Sequence, residues 1–199
     1  MKQGLGDKLK ANIPNILTWI RIAAIPLVVW CFFSDIRVEG DNFARPFAGM
    51  LFGLAAITDL FDGYLARKWN QISKFGEFLD PVADKLMVAT CLVLLVHTDP
   101  RIDVALVAAV IIGREITVSA LREWMAGLGE RSVVKVGMAG KVKTTFQMFG
   151  IAFMVYEHNL FGIDVYFIGY YLLLVAAVMT LWSMIVYLRA ARPSMMNRG

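Results

Sequence analysis

Residues 164–190 read DVYFIGYYLLLVAAVMTLWSMIVYLRA, with no charged residue between Asp164 and Arg189. A helix of that length rises about 1.5 Å per residue and crosses a hydrocarbon layer roughly 30 Å thick. Five further apolar segments precede it, at about Pro14–Ser34, Ala44–Lys68, Pro81–His97, Ile102–Met125 and Gly140–Glu157. None shows the ten-residue alternation of a membrane barrel, so helices are expected. The six segments take up about two thirds of the 199 residues and leave room for loops but no separate soluble domain; 58% of the chain is hydrophobic and 18% charged. Ordinary soluble domains carry about 25% charged residues. Mean hydropathy is +0.62. A soluble fold of this size could not hide so much apolar surface in one core. This composition excludes a soluble enzyme, a disordered chain and a nucleic-acid binder. The expectation is an all-α integral membrane protein with six transmembrane helices in a single domain over residues 1–199.

The two cysteines, Cys31 and Cys91, lie in apolar runs without metal or disulfide spacing and read as small buried hydrophobes. The first apolar run begins near Ile13 and exceeds the apolar region of a cleavable leader, so none is expected. Residues 1–12 read as a short juxtamembrane segment, with Met1–Ala11 weakly suited to a surface helix.

Basic residues set the expected orientation. Fourteen lysines and arginines collect on one side of the six spans, from Lys2 through Arg198, and three (Arg37, Arg45 and Arg101) on the other. Both termini are therefore expected in the cytoplasm. Trp30, Trp69, Trp124, Tyr166 and Tyr187 fall near helix ends, as interfacial anchors do. His97 and His158 fall near the outer ends. Gly49 and Gly53 form a small-xxx-small pair that suits close helix packing, inside the bundle or at a dimer contact.

The chemistry-bearing segment is Asp59–Asp84, DLFDGYLARKWNQISKFGEFLDPVAD. Asp59 and Asp62 are i, i+3 on the second helix, and Gly63 beside them leaves room for a ligand. Asp80 and Asp84 are i, i+4 on the third, where Pro81 suits the first turn. A short loop makes these helices antiparallel neighbours, so four carboxylates can converge at the cytoplasmic end. In a low-dielectric setting they cannot all stay ionised without cations. Oxygen-only donors favour Mg²⁺ or Mn²⁺, and four aspartates suit a two-metal site that clamps the oxygens of a phosphoryl displacement. Arg67, Lys68 and Lys74 are placed to hold a diphosphate. Arg114, deep in the fourth span, is costly unless it faces a cavity, and with Lys141 and Lys143 it is the candidate for a basic pocket. No role is assigned to Glu115.

The segment resembles the CDP-alcohol phosphotransferase signature D-x-x-D-G-x-x-A-R-x(8)-G-x(3)-D-x(3)-D. Asp59, Asp62, Gly63, Ala66, Arg67, Gly76, Asp80 and Asp84 fill every fixed position. NIPNILTWIRI near the N-terminus, REITVSALREWMA from Arg114 and GKVKTTFQM from Gly140 extend the likeness over nearly the whole chain, towards the bacterial members that make phosphatidylglycerophosphate. The resemblance implies transfer of a phosphatidyl group from CDP-diacylglycerol to sn-glycerol 3-phosphate, with release of CMP. It implies two divalent cations, Mg²⁺ or Mn²⁺, held by Asp59, Asp62, Asp80 and Asp84, with Asp84 also the base. It assigns Gly63, Arg67, Ser73 and Gly76, with Asn15, Thr18 and Arg21 from the first helix, to CDP-diacylglycerol. The anionic acceptor would fall to Arg114, Lys141 and Lys143. It further implies a homodimer in the bacterial inner membrane, its active site facing the cytoplasm. The competing readings are the same fold with inositol phosphate, serine or phosphatidylglycerol as acceptor, and a divalent-cation transporter. The transporter is disfavoured because the outer half lacks matching acids near the midplane.

Overall fold

A computed structural model describes the backbone of residues 3–34, 37–38, 41–69, 74–127 and 138–196, and the side chains of residues 18–34, 43–58, 78–127, 140 and 142–189. Among the described residues there are six helices and one minimal hairpin. The helices are α1 (Gln3–Phe33), α2 (Ala44–Trp69), α3 (Lys74–Thr98), α4 (Ile102–Gly127), α5 (Met138–Tyr156) and α6 (Val165–Met196). Between α1 and α2, β1 (Arg37–Val38) pairs antiparallel with β2 (Asp41–Asn42).

Each helix buries one stripe at helical spacing. On α1 the stripe is Thr18, Arg21, Ala24, Val28 and Cys31, and on α4 it is Val104, Val107, Ala108, Ile111, Arg114, Val118, Leu121 and Met125. That periodicity of three and four turns one face of each helix inward. The opposite faces are apolar too: Leu106, Val93 and Trp182 are 59%, 61% and 71% exposed. A surface so apolar suits a lipid solvent, where helices satisfy their own backbone groups. Two helical stretches, Ile102–Gly127 and Val165–Arg189, are each long and apolar enough to cross a membrane, and Thr18–Phe33 and Ala44–Thr58 are shorter apolar stretches.

Two expected boundaries shift. The juxtamembrane segment 1–12 is helical from Gln3 and forms the first turns of α1 without a break, although Gly4, Gly6 and Pro14 lie within that helix. Helix α3 starts at Lys74, so Pro81 sits in the helix interior rather than in its first turn. The stretch from Lys74 to Asp80 contains only one glycine and no other strong breaker, and the helix runs through it. Pro81 then removes one backbone donor just where Asp80 and Asp84 face α1.

Packing is tightest where glycines let backbones meet. A Cβ on Gly49 would lie 2.6 Å from Tyr156 Cα, whereas one on Gly53 would meet nothing within 4 Å. The small-xxx-small pair is thus half used, and inside the bundle, between α2 and α5. Gly150 and Gly169 carry no comparable signal in the sequence pattern. A Cβ on either would sit 2.9 or 2.8 Å from the carbonyl oxygen of the other. These two glycines let α5 and α6 form the most extensive interface of the fold.

At one end of the bundle, Arg101 and Tyr166 both donate to Asp99, and Tyr170 donates to Asp103. Arg101 holds the Asp99 carboxyl below the usual carboxylate range. Tyr166 is therefore a polar tie between the α3–α4 turn and α6, a role beyond interfacial anchoring. Arg45, packed over the Phe32 ring at 4.1 Å, bonds the Val155 carbonyl and pairs with Glu157 at this same end. Phe33 and His97 meet here too, with ring centroids 5.5 Å apart. Cys31 and Cys91 are free and buried in the core.

Candidate active site

The opposite half of the bundle is where the buried stripes turn polar. On α1, Thr18 and Arg21 are 2% and 4% exposed, three residues apart on the inward face. Helix α3 brings Asp80 and Asp84 to them. Thr18 donates to Asp80 Oδ1 at 2.7 Å, and Arg21 Nη1 reaches Asp84 Oδ1 at 2.5 Å and Asp80 Oδ1 at 3.4 Å. Arg21 therefore faces the acids inside the bundle and does not snorkel to the interface. An open cleft beside it is lined by Arg21, Phe52, Ala55, Ala56, Asp84, Met87, Val88 and Met148. Its described α2 wall reaches Ala56, three residues before Asp59 along the helix.

The donor set fits a hard divalent cation. Among the described residues, two carboxylates share one face of α3 and one guanidinium lies between them, two negative charges to one positive. Its carboxylate oxygens are the donor type that Mg²⁺ and Mn²⁺ favour. Among the described residues no three His, Cys, Asp or Glu side chains cluster. The remaining proposed ligands, Asp59 and Asp62, belong to α2 but their side chains lie outside the described residues. The same holds for Asn15 on α1, Gly63 and Arg67 on α2, Gly76 on α3 and Lys141 on α5, while Ser73 lies outside them entirely.

A second polar group sits where α4, α5 and α6 converge. Lys143, 1% exposed, pairs with Glu115 Oε1 at 3.2 Å, and Arg114 Nη1 donates to the same oxygen at 3.1 Å. Arg114 Nη2 reaches the Ser183 hydroxyl at 3.4 Å, and the ring of Tyr187 lies 5.8 Å from the guanidinium carbons of both Arg114 and Arg122. Among the described residues, Arg114 Nε, Gln147 Oε1 and Thr180 Oγ1 are buried without hydrogen-bond partners. Buried polar atoms are rarely left so. Arg114 and Lys143, singled out from sequence, are thus brought together. Glu115 was left without a role and turns out to join them. Its signal was an acid within a span beside an arginine. Gln147 was also missed; it follows Lys143 by four residues, one turn along the same face. The two polar groups are linked through α5, because Met148 lines the cleft of Asp84 and lies five residues, roughly 7.5 Å of rise, from Lys143.

With this geometry in view, the likeness to known proteins is specific. The sequence profile of the family described as CDP-alcohol phosphatidyltransferase matches residues 11–183. A CDP-diacylglycerol–glycerol-3-phosphate 3-phosphatidyltransferase of Shigella flexneri serotype 5b (strain 8401) is 48% identical over 190 residues, covering 96% of this chain and 100% of the relative. The protein of the same description from Escherichia coli (strain K12) matches with the same identity and coverage. The match spans both polar groups, α1 with α3 and α4 with α5 and α6. The chain belongs to the CDP-alcohol phosphatidyltransferase family.

Proposed function

We propose that this protein transfers the phosphatidyl group of CDP-diacylglycerol to sn-glycerol 3-phosphate, giving phosphatidylglycerophosphate and CMP. The observation that carries the reading is the pairing of Asp80 and Asp84 with Thr18 and Arg21 beside an open cleft. Around it stand the complete eight-position signature and the near full-length identity to relatives bearing that reaction's name.

Asp59, Asp62, Asp80 and Asp84 would hold two divalent cations, which neutralise the diphosphate and ease departure of CMP. Thr18 and Arg21 orient the carboxylates of α3 from the other side. Asn15, Gly63, Arg67, Ser73 and Gly76 complete the donor site in this reading. Arg114, Lys141 and Lys143 take the phosphate of the acceptor, since two buried cations sharing one carboxylate retain a positive charge. The acceptor's primary hydroxyl attacks the phosphorus bonded to diacylglycerol. Asp84 takes the hydroxyl proton, the new P–O bond forms, and the bond to CMP breaks. Direct transfer suffices, as neither the sequence motifs nor the described cluster supplies a nucleophile–base pair.

The test is CMP release by the purified enzyme from CDP-diacylglycerol, with and without glycerol 3-phosphate, and with serine, inositol phosphate or phosphatidylglycerol in its place. Release that depends on glycerol 3-phosphate alone is the expected result. Equal or better release with another acceptor would overturn the assignment.

The reading places six spans in a bacterial inner membrane, both termini and the site cytoplasmic, in a homodimer. The fourteen-to-three division of basic residues supports that orientation. Cysteines introduced at Lys2 and Arg198 should react only with reagent on the cytoplasmic side, and one at Asp99 only from outside. Outside labelling of either terminus would reverse the topology. The mass of the detergent-solubilised protein reads the dimer.

A further inference from the structure

We propose that Glu115 is a positioning residue for the acceptor: one of its carboxylate oxygens holds Arg114 and Lys143 together so that they meet the phosphate of the acceptor as a pair. This rests on the reading that these two cations form the acceptor pocket.

Glu115 Oε1 stands 3.1 Å from Arg114 Nη1 and 3.2 Å from Lys143 Nζ. Both cations are buried, at 8% and 1% exposure. Two such charges inside a bundle repel each other and lose hydration, so each needs a partner to remain in place. A single carboxylate serves both. It also spans a gap. Helix α4 packs chiefly on α6 and α3, and α5 on α6, α2 and α3, while α4 and α5 share no substantial interface among the described residues. The Glu115–Lys143 pair ties α4 to α5 across that gap.

A purely structural bridge would match charge for charge and leave little unmet. Here two cations share one anion, with Arg122 adding to the positive field and Tyr187 facing both arginines from α6. Asp84 lies on α3 beside Met148, further along α5. Arg114 Nε, Gln147 Oε1 and Thr180 Oγ1 find no hydrogen-bond partner among the described residues of these helices. Spare positive charge with unfilled donors and acceptors is what a polyol phosphate requires. Glu115 itself is less buried than either cation, its side chain 25% exposed. A carboxylate repels the acceptor's phosphate, so the role left to Glu115 is to act through Arg114 and Lys143.

The experiment compares steady-state kinetics of the full-length enzyme carrying Glu115→Gln, Glu115→Asp, Lys143→Met, and Glu115→Gln with Lys143→Met together. Glu115→Gln should raise the KM for glycerol 3-phosphate roughly tenfold and leave the KM for CDP-diacylglycerol within about twofold. Glu115→Asp, which keeps the charge, should recover most of that loss. The double variant should lose less than the two single losses combined, because Glu115 and Lys143 act partly as a unit. If Glu115→Gln does not fold, Glu115→Asp and the double variant still read the acceptor KM. Parallel losses in kcat and both KM values, unrescued by Asp, would make Glu115 merely structural and overturn the proposal. A lower acceptor KM in Glu115→Gln would also overturn it, since Glu115 would then compete with the phosphate. If Lys143→Met alone leaves the acceptor KM unchanged, the pocket itself is misplaced and the inference falls with it. Changed acceptor KM in Lys143→Met with none in Glu115→Gln sinks the inference alone.

Discussion

Asp84→Asn should keep CDP-diacylglycerol binding and lose kcat by at least the roughly 10²-fold typical of a removed general base. The substitution preserves shape and one oxygen, so Arg21 retains an acceptor where it now meets Asp84 Oδ1 at 2.5 Å. What disappears is a group able to take the proton of the attacking hydroxyl. Asp59→Asn should behave differently, weakening cation and donor binding together, because in the proposed reading Asp59 would hold cations and the cations would in turn hold the donor's diphosphate. The measurements are donor binding in the presence of Mg²⁺ and single-turnover CMP release, for both variants side by side. Near-normal turnover in Asp84→Asn would remove it as the base.

Stripping divalent cations from the enzyme should abolish CMP release, and Mg²⁺ or Mn²⁺ should restore it. The α3 pair already shows why. Asp80 and Asp84 lie on one face, with one guanidinium between them among the described residues, and Asp59 and Asp62 on α2 would add two further charges in the proposed reading. Repulsion among like carboxylates in a partly desolvated setting is relieved by cations or by protonation, and only the first leaves Asp84 able to act as base. Binding of the cations can also be followed without turnover, by calorimetric titration of the apo enzyme with Mn²⁺. Full activity in a cation-free preparation would exclude the two-metal reading.

Much of the α1–α3 pole could be read in advance because its spacing is local. Asp80 and Asp84 at i, i+4 must share a helix face whatever the rest of the bundle does. Arg21 was an intramembrane charge, and such charges need a partner; which partner was not legible. The partner is 63 residues away along the chain and is chosen by the packing of α1 on α3. The α4–α5–α6 junction was read less completely for the same reason. Arg114 and Lys143 stood out by type and depth, but their shared carboxylate, Glu115, is a sequence neighbour of one and 28 residues from the other. Local pattern assigns Glu115 and Arg114 to different helix faces and so gives no hint that they converge on Lys143.

The sequence by itself determined the solvent, the number of helices and the chemical class. Apolar segments of spanning length admit little except lipid-embedded helices, and the aspartate spacing is a property of single helices. Tertiary structure decided the pairings. It used Gly49 against Tyr156 while leaving Gly53 open, and it let Gly150 meet Gly169. It also ran α3 through Pro81 and back to Lys74. It placed Tyr166 on Asp99 and Tyr187 beside Arg114 and Arg122, where sequence position suggested membrane anchors. Periodicity along one helix reports which face turns inward. Which residue on another helix it will touch depends on crossing angle and axial offset, and those are set by the packing of the whole bundle.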